Sequence, residues 1–387
     1  MIKYDVAIVG GGASGLTCAL ALKRLKKGAK VCVIDACERL GKKLAATGNG
    51  QGNVSNINLS PSNYHGGGAA LAHEIIGGNY NLPASLFNCI FIHDDEGRIY
   101  PSGRQASALS DSLIRELGSL GTEFFTGVRA SEVRKGFFLR LSDGREVRAD
   151  RVVLACGGKA QKQFGTDGTS YALAKSLGHT ITPLFPSLVQ LKTDTTFTKT
   201  LKGIRAECIL RAESGGKILK ESRGDIIFTD YGVSGNAVFS VSSAVADKKD
   251  AILHIEFLPD VGAKDIVRDI EAKKKLNYPA SELLSGTLHN QLGRAIIKRA
   301  QGGAEDIART VKDFTLCVTG TLGFDYAQVT RGGVECSQIS DNLESKVCKD
   351  LYFTGEYLDV DGDCGGYNLL WAFASGVRVA QKIAEEL

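Results

Sequence analysis

A chain of 387 residues with 43% hydrophobic content is long enough for two domains, or one large domain with an insertion, each with its own core. Its 47 Lys and Arg against 43 Asp and Glu leave a net charge of +4 with the cations scattered, which argues against a nucleic-acid partner. Ten singly placed cysteines and six histidines without HExxH-like spacing exclude a dense disulfide framework and give no metal-site pattern.

In chain order, no charged and apolar leader precedes the first strand, and no apolar run approaches the ~20 residues that span a bilayer. A cytoplasmic protein with no membrane partner is expected. Residues 4–9 read as a buried parallel strand, 13–27 as a helix carrying Leu16, Leu20 and Leu25, and 30–35 as a second strand, together a βαβ unit. Lys23, Arg24, Lys26 and Lys27 end that helix, where cations meet the negative pole of its dipole, and are expected on a solvated face. Residues 123–142 alternate as a hairpin around Lys135-Gly136, and 151–155 form a short apolar strand. Strands with Gly-Gly turns fill 190–258, helices 259–312, a strand 351–354, and a long helix 367–386.

The chemistry concentrates at both ends. Gly10-Gly11-Gly12-Ala13-Ser14-Gly15 lies between strand and helix, and Asp35 ends the second strand. In this dinucleotide pattern Gly10 makes the tight turn, Gly12 admits a pyrophosphate, Gly15 allows close helix packing, and Asp35 accepts a ribose hydroxyl. Gly41-Lys42-Lys43-Leu44 and Thr47-Gly48-Asn49-Gly50 then supply small residues and donors suited to FAD. Near the other end, Leu351-Tyr352-Phe353-Thr354-Gly355-Glu356 is a strand ending in Gly-Glu, and 362–369 opens the last helix, whose N–H groups suit the pyrimidine edge of a flavin. The expected fold is therefore α/β: a Rossmann-like FAD-binding domain of glutathione-reductase type over 1–188 and 325–387, with an inserted substrate domain over 189–324, β-rich at 189–258 and helical at 259–313. The expected FAD contacts are Gly10, Gly12, Ala13, Ser14, Gly15, Asp35, Ala36, Lys42, Lys43, Gly48, Asn49, Asn53, Val128, Ala155, Gly157, Gly158, Gly355, Glu356, Asp363, Asn368 and Leu369.

Six motifs carry a resemblance over nearly the whole chain: 41–50, Gly97-Arg98-Ile99-Tyr100-Pro101, Ala155-Cys156-Gly157-Gly158, 228–235, 329–334 and 355–362. The sequence resembles the BaiN/YhiN-like family of FAD-dependent flavoproteins, some of them known as aminoacetone oxidases. Two departures stand out: Gln51-Gly52-Asn53 where the family has Arg-Cys-Asn, and Asp230 and Asn236 where it has His and Pro. Thr330-Arg331-Gly332-Gly333 resembles the Thr-x-Gly-Gly segment of fumarate reductases, which add hydride and a proton across an activated double bond. The resemblance implies NAD(P)H-driven reduction of a C=C bond conjugated to a ketone in a small bile-acid or steroid-like molecule. Tyr231 and Arg331 are the candidate catalytic residues, beside Arg205, Arg223 and Arg294 of the insertion. The alternatives are a flavin oxidase of small amines or aminoketones that produces hydrogen peroxide, and a flavin-containing RNA-associated or binding protein.

Overall fold

The computed structural model describes residues 3–134 and 136–387. The strands β1 (Lys3–Val9) and β2 (Val31–Ile34) are nearly all apolar and buried, the pattern of strands covered on both faces. They pair in parallel; β1 also pairs in parallel with Glu146–Leu154, and β2 with Glu123–Phe125. Parallel neighbours need a crossover, and helix α1 (Ala13–Leu25) provides the one between β1 and β2. The other edge of Glu146–Leu154 takes two partners in succession: Phe138–Leu141 antiparallel near its start, and Leu351–Phe353 parallel at its end. The C-terminal segment thus returns to the sheet that the N-terminus began.

The terminal helix, Tyr367–Glu386, lies against α1. A Cβ on Gly376 would sit 2.5 Å from the Ser14 carbonyl oxygen and 3.0 Å from the Cys18 nitrogen, so only glycine permits this approach.

Two expectations are corrected in this part of the chain. Residues 123–142 are not one hairpin: Glu123–Phe125 joins β2, and only Ala130–Arg134 and Phe138–Leu141 pair antiparallel. Their turn contains Gly136 at φ +76°, while Lys135 lies outside the described residues. The cations closing α1 are not simply solvated. Lys23 is 4% exposed, and its Nζ donates to the carbonyls of Lys27 and Ala29 at 3.0 and 2.8 Å, which serves the helix C-terminus from within. Arg24 pairs with Glu116 at 2.7 Å.

The chain divides into two compact units: residues up to Phe185 with Val329–Leu387, and Pro186–Gln328. The second is built on a closed six-stranded barrel, in the order Leu191–Thr193, Gly232–Ser234, Lys217–Phe228, Arg205–Ser214, Ile252–Phe257 and Phe314–Thr321. Lys192 opposite Gly320 closes the ring. Phe228, Phe257 and Phe314 fill its core. Helices Ala263–Lys275, Asn290–Arg299 and Ala304–Lys312 occupy the stretch expected to be helical. Asn236–Val245, expected among strands, is also a helix: Ala237, Val238, Val241 and Val245 bury one helical face, and Gly235 at φ +109° turns the chain into it.

Replacing Gly376 by Ala should cost about 1–3 kcal/mol, the usual range for overpacking, seen as a lower urea midpoint with an unchanged slope. Gly28→Ala, where a Cβ would meet nothing within 4 Å, is the matched control and should move the midpoint far less.

Candidate functional site

The turn between β1 and α1 is dictated by the packing around it. Gly10 stands at φ +112°, and a Cβ there would lie 2.2 Å from the Ala155 carbonyl oxygen; one on Gly15 would lie 1.9 Å from the Gly10 oxygen. Gly12 differs, because its Cβ would meet nothing within 4 Å. The protein's own packing demands Gly10 and Gly15, whereas Gly12 leaves room in front of the helix. No side chain caps α1 and its first turn holds no acidic residue, so its leading N–H groups, on Ala13, Ser14 and Gly15, keep their positive pole for a ligand. Residues of this kind fit the diphosphate of a dinucleotide.

Asp35 closes one side. Its Oδ2 accepts from the Gly11 N–H at 2.6 Å and its Oδ1 from the Cys37 N–H at 2.7 Å. Burial pushes its carboxyl above the usual range, and those N–H bonds and the Arg129 charge act against that rise. Val128, buried, donates its N–H to the Asp35 carbonyl at 3.0 Å, so Asp35, the partly buried Ala36 and Val128 adjoin.

The second segment arrives from β2. Gly41 donates its N–H to the Gly11 carbonyl at 2.8 Å and opens a single helical turn, α2 (Lys42–Ala45). Lys42 is exposed, while Lys43 reaches across 313 positions to Glu356, Nζ to Oε2 2.8 Å. Glu356 Oε1 accepts from the Thr330 N–H at 2.8 Å, and Thr330 Oγ1 accepts from the N–H groups of Lys159 and Ala160 at 2.7 and 2.9 Å. A Cβ on Gly158 would lie 2.3 Å from Thr330 Oγ1, and Gly157 is held at φ +69°. Gly355 presses on α1, its Cβ position being 2.7 Å from Ser14 Oγ. Ser375 and Trp371 hold it there: the Gly355 N–H donates to Ser375 Oγ at 2.9 Å, and Trp371 Nε1 donates to the Gly355 carbonyl at 3.1 Å. Sequence reasoning missed these two, although their spacing of four on one helix face was a usable signal.

At the start of the terminal helix, the Asn53 amide lies between the Ser55 carbonyl, 3.0 Å, and the Gly366 N–H, 3.2 Å. Asn368 uses its side chain on its own loop: Oδ1 accepts from the Gly362 N–H and Nδ2 donates to the Gly362 carbonyl, both at 2.8 Å. What Asn368 and Leu369 offer a ligand is therefore backbone. Asp363 Oδ1 lies 2.9 Å from His65 Nε2, and its Oδ2 accepts from Asn63 at 3.2 Å. Gly48 and Asn49 are exposed and left-handed, φ +58° and +54°. At position 51, where the family pattern carries arginine, a cation still approaches: Arg104 donates to Gln51 Oε1 at 2.9 Å and stacks over Tyr100 at 4.5 Å.

Of the catalytic candidates, Arg331 follows Thr330 in the strand Val329–Arg331 and is partly buried, whereas Tyr231 belongs to the barrel unit. Arg205, Arg223 and Arg294 stand in ion pairs with Asp225, with Glu207 and Asp260, and with Glu282. Among the described residues no group of three or more side chains could hold a metal, and no helix is long and apolar enough to cross a membrane.

The model of the HI0933-like protein Rossmann domain matches residues 4–382. The chain belongs to that family. Within reach of it, the 3-dehydro-bile acid delta(4,6)-reductase of Clostridium scindens is 37% identical over 409 residues, covering 98% of this chain and 99% of the relative. The ribosomal RNA dihydrouridine synthase of Escherichia coli is 27% identical over 410 residues, covering 99% and 98%. Among solved structures, the 3-ketosteroid-delta4-(5alpha)-dehydrogenase of Rhodococcus jostii matches with a TM-score of 0.53 at 16% identity, over 99% of this chain and 97% of that one, a likeness of fold.

Gly12→Val should fold as the native chain does and fail to hold FAD. Thermal melting of the cofactor-free proteins is expected to superimpose, while the flavin absorbance retained after gel filtration falls at least tenfold; a native flavin content in this variant would show that Gly12 does not face the cofactor.

Proposed function

We propose that this protein is an FAD-dependent oxidoreductase that reduces a C=C bond conjugated to a ketone in a bile-acid or steroid-like molecule, with NAD(P)H as electron donor. The observation that carries this reading is the 37% identity to the bile acid reductase across 98% of the chain. The open cradle at Gly12 and the uncapped α1 are consistent with it. Bound FAD would supply hydride transfer, first accepting from NAD(P)H and then giving to the β-carbon of the enone. The chain's own residues would bind the diphosphate at the start of α1 and deliver a proton to the α-carbon. Arg331 and Tyr231 are the proposed donors for that proton or for a hydrogen bond to the developing enolate oxygen.

A second reading comes from the whole-length relatives named ribosomal RNA dihydrouridine synthase, 27% and 28% identical. The uracil C5=C6 bond is also conjugated to a carbonyl, so the same hydride and proton addition would serve. The even charge of +4 favours the small molecule.

Anaerobic stopped-flow at the flavin band separates these readings. NADH or NADPH should bleach the flavin, and a 3-oxo-Δ4,6 bile acid should restore its colour within one turnover. Restoration by uridine-containing ribosomal RNA but not by the enone would overturn the first reading in favour of the second. Arg331→Gln and Tyr231→Phe should slow re-oxidation by the enone about 10²–10⁴-fold, the range for loss of a general acid, and leave bleaching by NAD(P)H near native.

A further inference from the structure

We propose that Lys43 and Glu356 form a charge-balancing pair beside the flavin, and that this balance sets its reduction potential. The inference rests on the FAD reading above and adds a role for two residues in tuning the cofactor. The pair is tight, with Nζ and Oε2 2.8 Å apart, and its side chains are only 22% and 19% exposed, so solvent screens it weakly. Both residues leave the α1 start: Lys43 stands two positions after Gly41, whose N–H donates to the Gly11 carbonyl, and Glu356 follows Gly355, which presses on Ser14. A dinucleotide whose diphosphate sat at the start of α1 would have this pair within the segments that pack on that helix end.

An ion pair removed from water returns little net stability, so the pair is poorly explained as a stabilising device alone. The carboxylate is held from a second side by the Thr330 N–H at 2.8 Å, and Gly158 is kept small, with a Cβ position 2.7 Å from Glu356 Oε1. Both orient the charge, as a site that tunes a cofactor requires. Reduced flavin carries negative charge on its pyrimidine ring. A lone cation beside it favours reduction, a lone carboxylate opposes it, and the intact pair does neither strongly.

The test is redox titration of Lys43→Met and Glu356→Gln at saturating FAD, against native protein. Lys43→Met leaves Glu356 uncompensated and should lower the midpoint potential. Glu356→Gln keeps an acceptor for Thr330, leaves Lys43 uncompensated, and should raise it. Lys43→Arg should restore a value near native. Shifts in the same direction, or FAD-loaded variants with unmoved potentials, would overturn the role of the pair while leaving the FAD reading intact. Native protein that takes up no FAD would overturn both.

Discussion

The structure depends on how closely the backbone crowds the first turn of α1. The Ala155 carbonyl closes on Gly10, the Gly10 carbonyl on Gly15, Gly355 on Ser14 Oγ, and Gly376 on the Ser14 carbonyl, each leaving no space for a Cβ. Ala155, Gly355 and Gly376 thereby converge on one helix end. In exchange, the helix start itself stays open at Gly12, with its N–H groups uncapped. Close packing behind a bare helix N-terminus lets a protein bind a diphosphate without a cluster of cations.

Both units combine exposed ion pairs with a few partly buried charges in fixed positions. The sheet unit that begins with β1 holds Asp35 against two N–H groups and Glu356 between Lys43 and Thr330. The barrel unit carries exposed pairs such as Arg223 with Glu207 and Asp260, and a partly buried cluster in which Glu256 meets Arg211 and Lys312. Two relatives that span this whole chain carry names for quite different molecules, a bile acid and an RNA base.

What the sequence determined by itself was local. A glycine-rich turn between a buried strand and a helix, an acidic residue ending the next strand, and a long amphipathic helix at the far end are each written in neighbouring residues, because turn geometry and helical periodicity act over a few positions. The same locality misled within 190–258, read as strands throughout, where the burial of Val238, Val241 and Val245 shows a helical face over Asn236–Val245. Lys23 looked like one of four solvated cations, yet the chain folds back at Ala29 and buries it as a cap. Tertiary structure alone decided the closed barrel, the second partner of Glu146–Leu154, and the meeting of Lys43 with Glu356. Those contacts join residues up to 313 positions apart, and no local propensity or spacing encodes a partner that distant.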